Sequence, residues 1–587
     1  MGRFIVRLFA VIGVIAVLLV AGAITAGTLL LDRLGAPETP PRMVLELDLR
    51  GGLPAGPPPS PIRRRFAGAP PTLDETIVAL ERAADDDRVA GVVARFGGDT
   101  FSAATAQSLR DAIARFRESG KPAIAHADSF GEFSPGTIAY YAASAFDRVT
   151  LQPGGTVGIV GLRSEVPFAA EALADLGIEP QVEKRGRYKT APNTATETGL
   201  TPAHRAMLES VVSDTTGQIV AGIAESRGLD RGEVRTAVDR APLLADEAAS
   251  AGFVDGLVHW RDLVDEATAP ADGGPTAERV DAATYLAVAP TPDEPDARVG
   301  VIYVAGLIAE GEGESGGVGP TVAGADRIAA ALDEAARRDG IDAVILRIES
   351  GGGSPSASEV IRRAVVATRE AGKPVIVSMG GAAASGGYWI AVDADTIVAQ
   401  PATLTGSIGV FAGKPVLTDL LDDLGVSVEG VQQGRNADLF SLTVPYGENR
   451  ERAAAMVDAI YDRFVTLVAE GRGLDRAAVL EVAEGRVWTG AQARELGLVD
   501  RLGGLGAAID AAGETLGLEP GSTILPTVLP RPKSPVEDLM ELAGGVVAAA
   551  AHAETMGRVA SLVERTETWL LAPGSRALTM PEAGLPR

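Results

Sequence analysis

The chain has 587 residues, enough for several domains at about 150 residues each, and it contains no cysteine, which excludes disulfides, thiol catalysis and cysteine-bound metals. Its net charge of −25 at pH 7 argues against nucleic-acid binding, because such proteins need a basic surface. The chain has no phosphate-binding Gly-Lys-Ser/Thr loop, and its histidines are scattered, so we expect neither a metal nor a cofactor: His126, His204, His259 and His552.

The N-terminal segment is predicted to be a membrane anchor. Residues 8–31 carry no charged side chain, and as a helix they would span about 36 Å, against about 30 Å for the hydrocarbon core of a bilayer. Two arginines precede the segment and an aspartate follows it, which predicts a cytoplasmic N-terminus and an extracytoplasmic body. The alternative is a signal peptide cleaved at residues 21–23, but the apolar run continues well past them. We expect an uncleaved single-pass anchor, followed by a linker at 32–42.

The body shows an alternation of short apolar strands and helices. Strands are predicted at 43–49, 90–96 and 123–127, and amphipathic helices at 73–84 and 103–117. Strands that alternate with helices are typical of an α/β fold with a largely parallel sheet.

The same series of motifs occurs twice in the body. The offset between matching motifs drifts only from 252 to 245 residues, and chance matches do not keep order and spacing in that way. We therefore predict two tandem copies of one fold, a first copy at 43–290 and a second copy at 297–520. A tail at 526–587 follows, where prolines from Pro526 onward are expected to break regular structure before a helical segment. The matching pairs include Gly120-Lys121-Pro122 with Gly372-Lys373-Pro374, Tyr140-Tyr141 with Tyr388-Trp389, Gly186-Arg187 with Gly434-Arg435, and 227–231 with 472–476.

One serine lies in a stretch made almost only of glycine and alanine. An apolar strand at 374–378 leads into residues 379–387, where Ser385 is the single hydroxyl, and a helix is predicted to begin near it. Glycines at such a junction allow the backbone to turn sharply and to approach a ligand closely. The arrangement is typical of a serine nucleophile beside backbone amides that stabilise an oxyanion. A turn that only packs helices closely is the alternative.

The two copies differ in residues that could carry chemistry. At an offset of 248, Ser385 corresponds to Thr137, and Ser407 corresponds to Ile159. Conversely, Lys189 of the first copy corresponds to Ala437. Lysine, unlike arginine, can lose its proton when it is desolvated, so it can act as a base. Lys189 could equally be a surface charge.

These motifs resemble the signal peptide peptidases of the protease IV type, in their long, membrane-anchored form with two repeats. The resemblance covers most of the body, about residues 43–520, and its most specific pieces are 186–189, 350–354, 378–389 and 403–409. It implies a crotonase- or ClpP-like α/β fold for each repeat. It also implies a bacterial inner-membrane location, with the catalytic body on the periplasmic side, and assembly into a homotetramer.

The resemblance assigns roles to individual residues. Ser385 matches the nucleophile, Lys189 the base, and Ser407 the serine that orients the lysine amine. The oxyanion hole would be formed by the amide of Gly386 together with that of Gly352 or Gly353. The family usually has proline where this chain has Gly351, which leaves open which of the two glycines donates.

A Ser-Lys pair of this kind would hydrolyse peptides through an acyl-enzyme. The expected substrates are released signal peptides and other unfolded peptides. Two alternative functions remain open. One is an acyl-CoA enzyme of the crotonase type, against which the predicted extracytoplasmic location argues because CoA is cytosolic. The other is a non-catalytic membrane scaffold built from a degenerate repeat.

Overall fold

The computed structural model describes residues 40–59, 64, 68–270, 274–290, 294–313 and 321–531. The described residues up to 58 and from 70 to 531 form one compact unit. The predicted anchor at 8–31, most of the predicted linker and nearly all of the predicted tail lie outside the described residues. Within the described ranges, no helix is both long enough and apolar enough to cross a membrane.

The first copy contains a six-stranded sheet with the strand order β8-β4-β3-β2-β1-β9, and every neighbouring pair in it is parallel. The strands of the first copy, within this sheet and outside it, are β1 (Met43–Asp48), β2 (Val89–Phe96), β3 (Ala123–Ala127), β4 (Arg148–Leu151), β5 (Thr156–Val157), β6 (Glu179–Arg185), β7 (Leu243–Leu244), β8 (Gly256–Leu257) and β9 (Glu278–Asp281). Its helices are Leu73–Asp85, Ala103–Glu118, Thr137–Ala143, Ala170–Asp175, Asn193–Thr196, Pro202–Arg227, Arg231–Arg240, Ala245–Ser250, Trp260–Thr268 and Ala282–Val288.

The second copy contains an eight-stranded sheet with the main order β18-β16-β14-β13-β10-β20, in which β15 pairs with β14 and with β19. The strands of the second copy, within this sheet and outside it, are β10 (Ala297–Ala305), β11 (Leu307–Ala309), β12 (Val322–Gly324), β13 (Ala343–Ser350), β14 (Val375–Ala384), β15 (Thr396–Ala399), β16 (Leu404–Gly406), β17 (Val410–Val416), β18 (Val487–Thr489), β19 (Arg501–Leu502) and β20 (Ile524–Leu529). Its helices are Ala325–Arg337, Pro355–Glu370, Gly386–Trp389, Thr418–Asp423, Arg450–Arg472, Arg476–Val482, Gly490–Glu495 and Leu505–Leu516, with a 3-10 turn at Gly447–Asn449.

The predicted α/β class is confirmed, and the predicted elements in the first copy lie within two residues of the observed ones. Helix starts follow from local capping. Thr72 caps the helix Leu73–Asp85 in a capping box with Glu75, and Ser102 caps the helix Ala103–Glu118. The two helices were predicted from apolar spacing alone, and the structure shows that caps local in sequence fix where they begin.

The second sheet is buried on both faces. In β13, Val344 and Leu346 belong to the core of the second copy, whereas Ile345 packs into the core that the first copy also lines. A parallel strand covered on both faces reads as a continuous apolar run, as residues 343–346 of β13 do. The two copies therefore share one core across this sheet.

Two predictions about local structure were wrong. The Gly/Ala stretch before Ser385 is not a turn, since β14 continues to Ala384; a Cβ at Gly380 would lie 1.9 Å from a carboxylate oxygen of Glu349, so this carboxylate would have to move to admit one. Pro526 does not interrupt regular structure either. It lies in β20, which among the described strands pairs only with β10, at the edge of the sheet, so its missing N–H breaks no ladder hydrogen bond there. The second sheet consequently extends beyond residue 520.

Candidate active site

A strand pair between the two copies brings the loop that contains Lys189 to the second copy. β6 of the first copy pairs antiparallel with β17 of the second, from Arg185 opposite Val410 to Glu179 opposite Val416. The chain then turns at Gly186, whose φ is +97° and where a Cβ would lie 2.2 Å from the carbonyl carbon of Glu484. Only glycine fits this turn, and three residues later it delivers Lys189 to the second sheet.

The turn at Glu484 and Gly485 of the second copy supports the lysine, and sequence reasoning missed it. The Tyr188 amide donates to the Glu484 carbonyl at 2.9 Å, and a Cβ at Gly485 would lie 2.6 Å from the Lys189 amide nitrogen. The Arg486 guanidinium stacks on Tyr188, 5.0 Å from the ring centre. The signal in the sequence was a difference between the copies, since at the offset of 245 the first copy has Arg240 where the second has Gly485.

Ser385 joins the end of β14 to the short helix Gly386–Trp389 in a strained backbone conformation. Its φ is +54° and its ψ is −118°, a region that residues other than glycine rarely occupy. The Ser385 amide donates to the Gly406 carbonyl at 2.9 Å, which fixes the turn at the end of β16. The serine is thereby held at the top of the sheet, with its hydroxyl directed at Lys189.

The lysine and the two predicted serines lie together. Lys189 Nζ is 2.9 Å from Ser385 Oγ, 3.0 Å from Ser407 Oγ and 3.0 Å from the Ser407 carbonyl oxygen. The lysine is only 4% exposed. Burial is the sole cause of a marked change in its pKa, which falls from its ordinary 10.5 to about 8. About one-tenth of this amine is therefore neutral at pH 7.

The candidate oxyanion glycines differ in whether their amides are already used. The Gly352 amide donates to Ser350 Oγ at 3.1 Å. The amides of Gly353 and Gly386 donate to no acceptor within the described part of the chain. Ile308 pairs with Gly353 through the Gly352 carbonyl and the Ser354 amide, so the Gly353 amide points away from that strand. A Cβ at Gly386 would lie 3.0 Å from the Gly353 nitrogen, so these two glycines are adjacent.

A cleft of about 840 Å³ opens over Ser385 and Lys189. Its walls come from β11, from the start of β17 and from the helix Arg450–Arg472. Apart from Trp389, which ends the stretch 378–389, no sequence motif had predicted the apolar lining, because these residues come from separate elements and are ordinary apolar residues in each. The apolar side chains that line the cleft include Leu307, Ile308, Trp389, Phe411, Ile460 and Phe464.

Comparison with known proteins gives the family. The profile of peptidase family S49 matches residues 115–272 and 367–519, which lie in the first and the second copy. The chain belongs to peptidase family S49. It is 31% identical over 455 residues to Protease 4 of Salmonella typhi, covering 76% of this chain and 72% of the relative. It is 27% identical over 491 residues to the chloroplastic serine protease SPPA of Arabidopsis thaliana, covering 81% and 70%.

The family makes this chain a serine peptidase of the protease IV type with two repeats. Among solved structures, a ClpP1 variant from Listeria monocytogenes is similar at 16% identity and a TM-score of 0.24, over 35% of this chain and 93% of that chain. The narrower assignment of the α/β fold to the crotonase or ClpP type stays a prediction.

In the first copy of this S49 peptidase, the position that corresponds to Ser385 has its hydroxyl and the amides that follow it engaged in internal hydrogen bonds. Thr137 stands there, and its hydroxyl is engaged with the Gly161 backbone at 3.0 and 3.1 Å. The Asp99 carboxylate accepts hydrogen bonds from the amides of Ile138 and Ala139, at 2.8 and 2.9 Å. The amides that follow this position are therefore occupied by an internal carboxylate, and no lysine approaches them in the described chain.

Proposed function

We propose that this S49 peptidase is a membrane-anchored endopeptidase that hydrolyses released signal peptides and other unfolded peptides. Ser385 is the nucleophile and Lys189 is the general base, each supplied by a different copy. The observation that carries the proposal is the separation of 2.9 Å between Lys189 Nζ and Ser385 Oγ. That distance is within hydrogen-bond reach, which a base needs in order to take the serine proton.

The neutral amine is the reactive form of the base. Its two N–H groups donate to the hydroxyl and the carbonyl of Ser407, which leaves the nitrogen lone pair to accept the Ser385 proton. Ser407 therefore positions Lys189 by fixing the direction of that lone pair. Burial keeps the pKa of Lys189 near 8, which suits proton transfer at neutral pH.

Attack by Ser385 Oγ on the peptide carbonyl produces a tetrahedral oxyanion, and the lysine ammonium then protonates the leaving amine. The amides of Gly386 and Gly353 are free to donate to that oxyanion, whereas the amide of Gly352 is engaged with Ser350. Water, deprotonated by the same amine, then hydrolyses the acyl-enzyme and regenerates Ser385. We assign the oxyanion hole to Gly386 and Gly353.

The shape and lining of the cleft support unfolded, apolar substrates. The cleft is lined by large apolar side chains, among them Leu307, Phe411 and Phe464. Burying such side chains against substrate gives about 25 cal/mol for each Å² of apolar surface removed from water. Signal peptides contain an apolar run of 7–15 residues, and a released one would reach this cleft from the membrane. The predicted anchor at 8–31 would hold the body on the extracytoplasmic face of the inner membrane, and we expect the chain to act as a homotetramer.

The test is Ser385→Ala in the full-length protein, assayed with synthetic signal peptides and with a serine-reactive probe. We expect loss of hydrolysis and of labelling, with an unchanged unfolding temperature, because one oxygen is removed from an otherwise small side chain. Mass spectrometry of the labelled wild type should locate the probe on Ser385. Labelling elsewhere, or turnover of an acyl-CoA thioester in place of peptides, would refute the proposal.

A further inference from the structure

β14 contains a bulge shortly before it reaches the candidate nucleophile. It pairs with β13 in a regular register as far as Met379, which lies opposite Ile348, but the next pair is Ala383 opposite Ser350. One residue of β13 therefore faces three residues of β14, which are 380–382. Extra residues of this kind bend the strand that carries them and increase its twist.

The bulge is the point at which β14 changes its neighbour. Before it, residues 376–379 pair with β15, and after it, residues 382–384 pair with β16. β16 ends at Gly406, whose carbonyl oxygen accepts a hydrogen bond from the Ser385 amide at 2.9 Å. Because the bend directs the end of β14 towards β16, it sets where Ser385 stands relative to Lys189.

A carboxylate of β13 lies inside the bulge. Glu349 is the residue opposite the bulge, and its Oε2 accepts a hydrogen bond from the Gly381 amide at 2.7 Å. Burial raises the pKa of this carboxyl above its ordinary value, against the opposing effects of the Gly381 amide, the Arg347 guanidinium and the Ala382 amide. A Cβ at Gly380 would lie 1.9 Å from Oε2, so the carboxylate is in contact with the bulged backbone.

An arginine of β13 holds the residue that precedes the bulge. Arg347 lies on the same face of β13 as the carboxylate, and its Nη1 donates to the Met379 carbonyl oxygen at 3.0 Å. Its Nε lies 3.4 Å from Oδ2 of Asp74 in the first copy, and both of these side chains are buried. A Cβ at Gly381 would lie 3.0 Å from the hydroxyl oxygen of Ser102, which also belongs to the first copy. The first copy therefore packs against the bulge and pairs with the arginine that holds it.

The copy without the nucleophile keeps the arginine but not the carboxylate. At the offset of 252 that applies to this part of the repeat, Arg347 corresponds to Arg95 and Glu349 corresponds to Gly97. Arg95 pairs with Asp128 instead, and β2 and β3 of the first copy pair without a register shift. The bulge and its carboxylate thus occur together, in the copy that carries the candidate nucleophile.

We propose that Glu349 is a positioning residue of this peptidase. Its carboxylate holds the bulge that bends β14 from β15 to β16, and it thereby fixes Ser385 at the distance and direction from Lys189 that proton transfer requires. The proposal rests on the assignment of Ser385 as the nucleophile. Glu349 is not part of the described lining of the cleft, so it acts on the position of the serine rather than on the binding of substrate.

The test is Glu349→Ala in the full-length protein, with kcat, KM and the rate at which a serine-reactive probe labels Ser385 as the readouts. A misplacement of about 1 Å can cost about 100-fold in rate, so we expect kcat and the labelling rate to fall by about tenfold or more. KM should stay close to the wild-type value. The inflection of the pH profile near pH 8 should stay in place, because burial alone lowers the pKa of Lys189. Glu349→Gln keeps one acceptor for the Gly381 amide and should recover part of the lost rate.

Asp99→Ala is the matched control. Asp99 is likewise a partly buried carboxylate that accepts hydrogen bonds from two backbone amides, but it does so in the first copy. Its removal should lower the unfolding temperature and leave kcat unchanged. Gly380→Ala is a second test, because it keeps every charge and displaces the carboxylate of Glu349, and it replaces Glu349→Ala if that variant does not fold.

Three results would overturn the proposal. One is a folded Glu349→Ala, or Gly380→Ala in its place, that keeps the wild-type kcat and labelling rate. Another is an equal fall in kcat in Asp99→Ala, which would make the effect a general consequence of removing such a carboxylate. The third is a shifted pH inflection in Glu349→Ala, which would mean that Glu349 acts on the amine. Labelling of the wild type at a residue other than Ser385 would instead refute the proposed function itself.

Discussion

Replacing Lys189 tests the proposed dyad most directly. Lys189→Arg keeps the positive charge and much of the volume, but arginine stays protonated, with a pKa above about 12, and cannot accept the Ser385 proton. General-base catalysis contributes roughly 10²- to 10⁴-fold, so we expect kcat/KM to fall by at least about 100-fold. Lys184→Arg is the matched control, because Lys184 lies on β6 and donates to Asn193, away from the serine; it should keep the wild-type rate.

The pH dependence of the wild type follows from the buried amine. With the Lys189 pKa at about 8, about one-tenth of the amine is neutral at pH 7 and about nine-tenths at pH 9. We therefore expect kcat/KM for a fluorogenic peptide to rise about tenfold between these values and then to level off. An amine with the ordinary pKa of 10.5 would give a rise of about 100-fold over the same range, with no plateau.

The assay is kcat/KM from pH 6 to pH 10, because this parameter reports the pKa of the free enzyme. An inflection near pH 8 that is absent from any residual activity of Lys189→Arg supports the dyad. A rate that does not change with pH, or an arginine variant with more than about a third of the wild-type rate, would contradict it.

Three further predictions concern the surroundings of the amine. Lys189→Met should be more stable than wild type at pH 7, by up to about 3 kcal/mol in the free energy of unfolding, and should unfold at a higher temperature. The reason is that the pKa of Lys189 is about 8 in the folded protein and 10.5 in the unfolded chain, so folding disfavours the charged amine; the gain should shrink as pH rises from 8 to 10.5. Ser407→Ala should lower kcat less than Lys189→Ala does, and an equal loss would mean that Ser407 itself transfers the proton. Gly485→Ala should displace Lys189 and lower kcat severalfold or more, whereas Gly473→Ala, also at positive φ but facing open space, should cost only stability, as measured by thermal unfolding.

The copy comparison drew attention to Lys189 and Ser385 because only one copy keeps each of them, and the family resemblance then assigned them their roles. Lys189 and Ser385 are 196 residues apart, and nothing in the sequence between them indicates contact. The copy comparison depended on Thr137 and Ala437, which stand at the matched positions of the other copy. The structure brings Lys189, Ser385 and Ser407 within hydrogen-bond distance, a geometry that the sequence did not give.

The proposed oxyanion glycines show where sequence reasoning ends. Gly352 and Gly353 are adjacent and chemically identical, so no pattern could distinguish them. The fold distinguishes them because the Gly352 amide is already bonded to Ser350, while pairing with Ile308 turns the Gly353 amide away from that strand. The choice depends on a hydrogen bond to one side chain and on a strand contact across about 45 residues.

The sequence by itself determined the alternation of helices and strands, the two copies, and the residue types that could react, since periodicity, capping and repetition are all readable along the chain. Only the tertiary structure decided that β14 continues through its glycines, that Pro526 fits an edge strand, and that Gly485 presses on Lys189. Each of these outcomes depends on which distant backbone comes within a few ångströms, and such contacts follow from packing rather than from local sequence preference. The pairing of β6 with β17 is the decisive case, because it carries a lysine of one copy to a serine of the other.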